Sequence, residues 1–453
     1  MSKTVKLRKG LNIRLLGEAN KTRSELVVPK TISIKPTDFH GMIPKMVVKE
    51  GDQVKAGGSI FYDKYNEAVK CASPVSGKVQ AIVRGEKRKI MEIIVEADAE
   101  IQYEQGTPVE VSSLSSEEVK AKMMAAGLWL YVRQRPIDIV ANPTNEPKAI
   151  FVSAFDSSPL APDFDYVLHG NDAEFQAGLN ALSKLTTGKV HLTLNGKAAA
   201  DATFTQAKGV QINKIIGKHP AGNVGTQIHH IDPINKGEYV WTVNAQDVVI
   251  IGRYFLTGKY DARRTVALTG SEVKDPHYVE LISGSNVGNL LAGQVTTDNV
   301  RVISGNVLTG DKIAADGHLG FYHNQITVIP EGDQLKFVLT KGWMGPGFDK
   351  FSNSRLFPTF LLAGKKFRLD TNTNGEERAF VVTGELERVF PFDILPMQLV
   401  KAAITDDIDG MEALGIYEVA PEDFALCEYV CTSKIDIQDK IRKGLDLIQQ
   451  ECM

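Results

Sequence analysis

Four cysteines and nine histidines are the residues of this chain suited to redox or metal chemistry, and their spacing decides what they can do. Cys427 and Cys431, in LCEYVC, stand four apart and fall on one face of a helix. An iron–sulfur cluster ligated by protein alone needs four thiolates, commonly a C-x2-C-x2-C run plus one more. The C-x3-C spacing does not match that run, and Cys452 lies a helix away, so the pair reads as packed thiols. With Cys71 alone in a β-rich segment there is no disulfide framework, which fits a reducing compartment. Three histidines, His219, His229 and His230, crowd the stretch KHPAGNVGTQIHHIDPIN. A zinc site would want a helical His pair and a carboxylate, as in H-E-x-x-H. Glycine, proline and asparagine instead read the whole stretch as a loop, with Pro220-Ala221-Gly222 and Gly225 giving it a fixed shape suited to a ligand or an interface.

Other reactive patterns are weaker. Asp63-Lys64 sits where a carrier domain would present a lipoyl or biotinyl lysine, but nine residues separate Lys64 from Ser73 and no Met-Lys-Met occurs. Lys64 therefore reads as a solvated lysine on a hairpin. After KAIFVSAFD the chain reads SSPLAPDF, with neither G-x-G-x-x-G nor G-x-x-x-x-G-K-[ST] to hold phosphates. Asp156 and Ser157 still stand at the carboxyl end of a strand, where an α/β sheet faces its ligands. No G-x-S-x-G is present, and the acids of ITDDID (Asp406, Asp407, Asp409) read as a turn.

The elements that must position these residues predict an α/β multidomain chain. Short β runs around glycine turns (KMVVKEGDQVKAGGSIF, VKCASPVSGKVQAIV, IMEIIVE) predict a lipoyl- or biotinyl-like barrel-sandwich domain over 1–104. A helix capped at Ser-Ser before Glu-Glu follows. Strand, helix, strand (KAIFVSAF, DAEFQAGLNALSKLTTG, KVHLTLN) then predict a Rossmann-like α/β domain over 112–258. Glycine-rich short strands predict a β-grasp-like module over 259–330, and an irregular region with C-terminal helices fills 331–453. The net charge of -3 argues against nucleic-acid binding. The basic start lacks the apolar core of a signal peptide, and no run reaches the roughly 18 apolar residues of a membrane span.

Taken in order, the stretches RKGLNIRLLGEA, SPVSGKV, GLWLYVRQRPIDIV, FVSAFD with SSPLAP, LTTGKV, HPAGNVGT, RYFLTG, VRVISGNVLTG and TNTNGEER resemble the A subunits of bacterial Na⁺-translocating NADH:quinone reductases over nearly the full chain. More distantly the architecture is similar to the flavoprotein subunit of complex I and the C subunit of Rnf complexes. In those relatives a glycine-rich loop holds flavin and a cysteine-rich tail holds an iron–sulfur cluster. The corresponding place here is AAGLWLYVRQRP, where only Gly127 remains and Trp129, Tyr131 and Arg133 fill the space. The resemblance thus implies a subunit with no cofactor of its own, in a six-subunit complex that uses NADH, flavins, iron and quinone through its partners. It implies a peripheral place on the cytoplasmic face of the bacterial inner membrane, beside integral membrane subunits, and a soluble-ligand-binding-like character for the 259–330 module. The candidates for contact with ubiquinone or menaquinone, or for an interface, are His219, Pro220 and Gly222 in HPAG and Trp343, Met344 and Phe348 in GWMGPGFDKF. A purely structural docking subunit, and a carrier-type transferase using Lys64, are the rival readings.

Overall fold

A computed structural model describes the chain apart from Met1, Val27, Leu335, Val338, Lys341, Trp343, Ser354, Arg355 and Leu356. The architecture is a barrel-sandwich domain at the N-terminus, a second α/β domain, a third sheet and a C-terminal set of helices. In the barrel sandwich, a four-stranded sheet faces a three-stranded one. Alternate residues such as Val79, Ile93 and Val95 turn inward to meet Ile60, Phe61 and Val69. The hairpin Ser59–Asp63 and Asn66–Ala72 closes at the Asp63–Asn66 pair, so Lys64 and Tyr65 form its exposed tip. There the Lys64 ammonium lies 5.2 Å from the Tyr65 ring centroid.

The opening residues correct the expectation that 1–104 forms one unit. Thr4–Lys6 pairs in parallel with Gln211–Ile216 in the α/β sheet, and Asn20–Ser24 pairs with His277–Ile282 in the third sheet. Ile13 and Leu15 pack among the C-terminal helices. Such short, polar runs carry no signal for the sheet edge they join, because that choice rests on non-local backbone pairing.

The α/β sheet has seven strands, in the order Thr4–Lys6, Gln211–Ile216, Lys189–Asn195, Ala149–Ser153, Val240–Asn244, Arg133–Arg135, Ile139–Val140. The first five are mutually parallel, and the last two are added by antiparallel pairings. Both faces are covered, which is why the central strands Ala149–Ser153 and Val240–Asn244 are largely apolar. Ile150, Val152, Leu192 and Leu194 pack with the helices Asp172–Ser183 and Ala245–Thr257, and Phe151, Ile215 and Val240 with Val224–Ile231. The helix Ser116–Ala125 starts at the expected capping box, Ser115 with Glu118. Gly127 follows it with φ +72°, and a Cβ there would meet the Ala72 Cβ at 2.5 Å. That glycine seats the barrel sandwich against the second domain.

The third sheet has six strands, in the order Asp311–Ile313, Val300–Ser304, Gln325–Pro330, Arg263–Thr269, His277–Ile282, Asn20–Ser24. Its core is separate, around Val266, Leu268, Ile326 and Val328. At the C-terminus, Ile437, Ile441, Leu445 and Ile448 line one face of the helix Ile437–Cys452 and bury it against Pro396–Ile404 and Ala425–Val430. Among the described residues no helix is long and apolar enough to cross a membrane.

A candidate ligand cleft at the switch point of the sheet

From Ala149–Ser153 the chain winds outward to one side, through 189–195 and 211–216, and then returns to the other side as Val240–Asn244. The reversal leaves a crevice beyond the carboxyl ends of these two strands, the position where open α/β sheets bind ligands. A cleft of about 570 Å³ lies there, within the size range of small-molecule sites. Its wall draws on all four parts of the chain, from Asp38 and His40 to Glu422 and Arg442.

At the strand ends two loops far apart in sequence interlock. Gly222 N–H donates to Ser157 Oγ at 2.8 Å, and Ser157 Oγ lies 3.1 Å from His219 Nδ1. A side chain at Gly222 would put its Cβ 2.5 Å from the Ser157 nitrogen, so only glycine permits the approach. His219 is fixed from behind as well, its N–H donating to Asn12 Oδ1 at 2.8 Å. The ring is 4% exposed, and burial pulls its pKa down to about 4, so it is neutral at pH 7. Its Nε2 has no hydrogen-bond partner among the described residues, and neither do Ser158 Oγ and Gln325 Oε1 in the same wall. Buried polar atoms are otherwise nearly always paired, so three orphans around one cleft mark a place where a ligand's polar atoms fit. Burial also lifts the Asp156 carboxyl above the usual carboxylate range, although Ser158 N–H donates to it at 2.7 Å.

One side of the cleft is aromatic. Tyr131 stacks on Phe321 at 4.7 Å, and the Arg133 guanidinium lies 5.1 Å from the ring centroid of Tyr322. The far end is ionic. Arg133 pairs with Asp138 at 2.6 Å, and the fully buried Arg135 pairs with Glu422 at 2.5 Å and Asp423 at 2.7 Å. Low-dielectric surroundings push Glu422 up to about 7 against the pull of Arg135. Arg442 pairs with Asp446 at 2.9 Å, which also meets His40 at 2.8 Å. Around the whole cleft the acids Asp38, Asp138, Asp156, Asp247, Asp311 and Glu422 outnumber the guanidiniums of Arg133 and Arg442.

The expected residues separate. His219 and Gly222 line the cleft, and Pro220 is buried behind them. Met344 and Phe348 are exposed on the irregular region, away from the cleft wall, and Trp343 lies outside the described residues. The loop expectation for KHPAGNVGTQIHHIDPIN holds at its two ends, 218–223 and 232–235, but Val224–Ile231 between them is a helix whose Ile228 and Ile231 bury against the sheet. Its last-turn histidines face the C-terminal helical region. His229 Nδ1 lies 2.7 Å from Glu418 Oε2, and His230 Nε2 lies 3.1 Å from the Pro391 carbonyl. Cys427 and Cys431 are both buried, and burial pushes the Cys427 thiol far up, as packed thiols should be. Trp129 is buried edge-on against Trp241 outside the cleft, whereas Tyr131 and Arg133 line it. Sequence reasoning missed Tyr322, Gln325, Glu422 and Arg442. Only the arginines in LWLYVRQRPID, charged residues inside an apolar run, gave a usable signal.

Comparisons with known proteins agree along the chain. Residues 5–98 match the family model described as the NqrA N-terminal barrel-sandwich hybrid domain, 114–260 the NqrA second alpha/beta domain, and 265–315 the NQRA C-terminal domain. The A subunit of the Na(+)-translocating NADH-quinone reductase of Neisseria meningitidis serogroup A is 40% identical over 450 residues, covering 99% of this chain and 100% of that protein. The corresponding protein of Yersinia pestis bv. Antiqua is 38% identical, covering 99% of this chain and 100% of its own length. Among solved structures, an NAD+-reducing [NiFe]-hydrogenase in the air-oxidized state aligns over 51% of this chain and 52% of its own, with a TM-score of 0.33 and 13% identity.

Proposed function

Because the chain belongs to the family of Na⁺-translocating NADH-quinone reductase A subunits, we propose that it is a peripheral, cytoplasmic-face component of that oxidoreductase complex and contacts quinone at the switch-point cleft. In this reading it holds no redox centre. NADH, flavin and iron chemistry belongs to partner subunits, and the isolated chain does not turn over. The N-terminal domain is a lipoyl-like scaffold without carrier function, the central sheet is Rossmann-like, and the third sheet is a β-grasp-like ligand module. The domain limits are those read from the sequence, less the two opening strands.

The observation that carries the quinone contact is the unpaired, buried Nε2 of His219 beside an aromatic wall. A quinone is flat, neutral and apolar, with carbonyls that accept hydrogen bonds, so it needs an aromatic face and a donor. Ser157 Oγ already accepts from Gly222 N–H. In the tautomer in which Ser157 Oγ donates to His219 Nδ1, the ring proton sits on Nε2 and is placed to donate to a quinone carbonyl.

The test is titration of a short-chain ubiquinone into the purified chain, followed by quenching of tryptophan fluorescence and by competition with a non-quenching analogue. Saturable binding, about five-fold weaker in His219→Ala for one lost hydrogen bond and largely restored in His219→Gln, supports the reading. No saturable signal overturns it and leaves a docking role. Saturable binding that His219→Ala does not change moves the contact out of this cleft.

A further inference from the structure

From 336 to 368 the sequence carries seven Lys or Arg residues against one acid, Asp349, interleaved with aromatic and aliphatic residues. Folding does not neutralise that charge evenly. Lys336, Lys366 and Arg368 are paired with Asp370, Glu18 and Glu272. Lys365 donates to the Phe348 carbonyl at 2.7 Å, and Lys350 donates to the Gly342 carbonyl. A carbonyl satisfies an ammonium's hydrogen bond but leaves its charge intact.

Arg14 repeats the arrangement at the centre of the face. Its guanidinium donates to the carbonyls of Thr359, Leu362 and Ala363, the first two of which also accept the backbone N–H groups of Leu362 and Lys365. The turn is thereby held from beneath, and Phe360 and Leu361 stand outward at 55% and 71% exposed. Beside it is a groove of about 760 Å³ lined by Leu11, Arg14, Lys218, Phe351, Phe360 and Arg388 among others, with no carboxylate among the described residues of its wall. Lys218 is exposed and has no ion-pair partner among the described residues. Arg388 is paired with Glu385 at 2.8 Å and adds little.

We infer that this face seats on an anionic phospholipid surface, with Phe360 and Leu361 entering the headgroup boundary and Arg14, Lys218, Lys350 and Lys365 meeting lipid phosphates. Phe360 and Leu361, with the exposed Met344 and Phe348 of the same irregular region, stand among cations that no carboxylate pairs among the described residues. They match the interfacial combination of an apolar insertion and a basic rim, in which each cation near an anionic leaflet contributes appreciably. The inference rests on the peripheral placement proposed above but not on the quinone contact.

The experiment is flotation of the purified full chain with vesicles of phosphatidylcholine alone and of phosphatidylcholine mixed with phosphatidylglycerol. The expected result is binding to the anionic vesicles only, suppressed by salt and about five-fold weaker in Lys218→Ala. The Leu361→Ser variant, at a position 71% exposed, should lose most of the retention. Binding to neither vesicle, equal binding to both, or binding that these variants do not change overturns the inference. A second arm adds membranes containing the other subunits of the complex. Retention there without vesicle binding assigns the face to a protein partner and leaves the peripheral placement standing. Absence from both membranes and vesicles removes the placement too.

Discussion

Replacing Arg135 with methionine should be among the costliest single changes in this chain. Its guanidinium is fully buried, 2.5 Å from Glu422, 2.7 Å from Asp423 and 4.0 Å from Asp138. Methionine fills much of the same volume, so little cavity forms, and the loss is electrostatic. Asp423 is 1% exposed and would be left as a buried carboxylate without its cation. Breaking a buried pair from one side costs about 3–5 kcal/mol, enough to shift the local folding equilibrium by at least roughly a hundred-fold. Because Arg135 lies on a strand of the central sheet and its partners begin the 421–430 helical segment, the cost should fall on the docking of the C-terminal helices. Urea unfolding followed by circular dichroism, with limited proteolysis to locate the released segment, measures it. The double variant Arg135→Met, Asp423→Asn removes the stranded charge and should recover more than about 1 kcal/mol of the loss. The sign with pH follows from the stranded acids. Without Arg135 their folded pKa values rise further above the unfolded ones, so the variant's deficit should be largest at pH 8 and shrink as pH falls toward 6. A deficit below about 1 kcal/mol, or one that grows as pH falls, would show that the cluster does not hold these elements together.

Two further changes test other parts of the fold. His191 is stacked on Phe151 at 4.5 Å and held by burial at a pKa of about 4. Its neutral folded form binds fewer protons than the unfolded chain between about pH 4 and 6.5, so it weakens the protein as pH falls through that window. His191→Asn should therefore lose about 2 kcal/mol less than the parent chain between pH 7 and pH 5, as read from paired urea titrations. The comparison must be made by difference, since Asp38 and Asp247, held up at about 6, act with the opposite sign in the overlapping window. Gly252→Ala should cost about 1–3 kcal/mol in the same assay. Its Cβ would stand 1.8 Å from the Glu174 carbonyl oxygen and 2.8 Å from Gly178 N, forcing apart the two helices that cover one face of the sheet. An unchanged unfolding midpoint would mean that this helix crossing gives way freely.

Much of the secondary structure is legible in the sequence because its causes are local. Ser115 with Glu118 announces a helix start, and KAIFVS and KVHLTL read as buried strands, whereas Cys427 and Cys431 are buried without sharing a helix face, because the helix ends at Val430. The failures are of two kinds. VGTQIHHI reads as loop because of the glycine, proline and asparagine in and around it, yet burial of Ile228 and Ile231 against the sheet outweighs that preference. TVK and NKTRS read as part of the N-terminal domain because strands of three and five residues do not reveal which sheet edge they will complete.

The candidate site divides the same way. The sequence by itself determined that Asp156, Ser157 and Ser158 follow a strand, that HPAG is a shaped loop, and that no phosphate-binding glycine run is present. Those properties rest on periodicity and turn chemistry within a few residues. Only the tertiary structure decided that Ser157 and Gly222, 65 residues apart, lock together at the reversal of strand order. It also decided that His219 keeps an unpaired nitrogen there, and that Glu422 and Arg442 close the far end, while Met344 and Phe348 lie elsewhere. Strand order and the packing of domains on one another are set by contacts between distant segments, and no window of sequence contains both sides of such a contact.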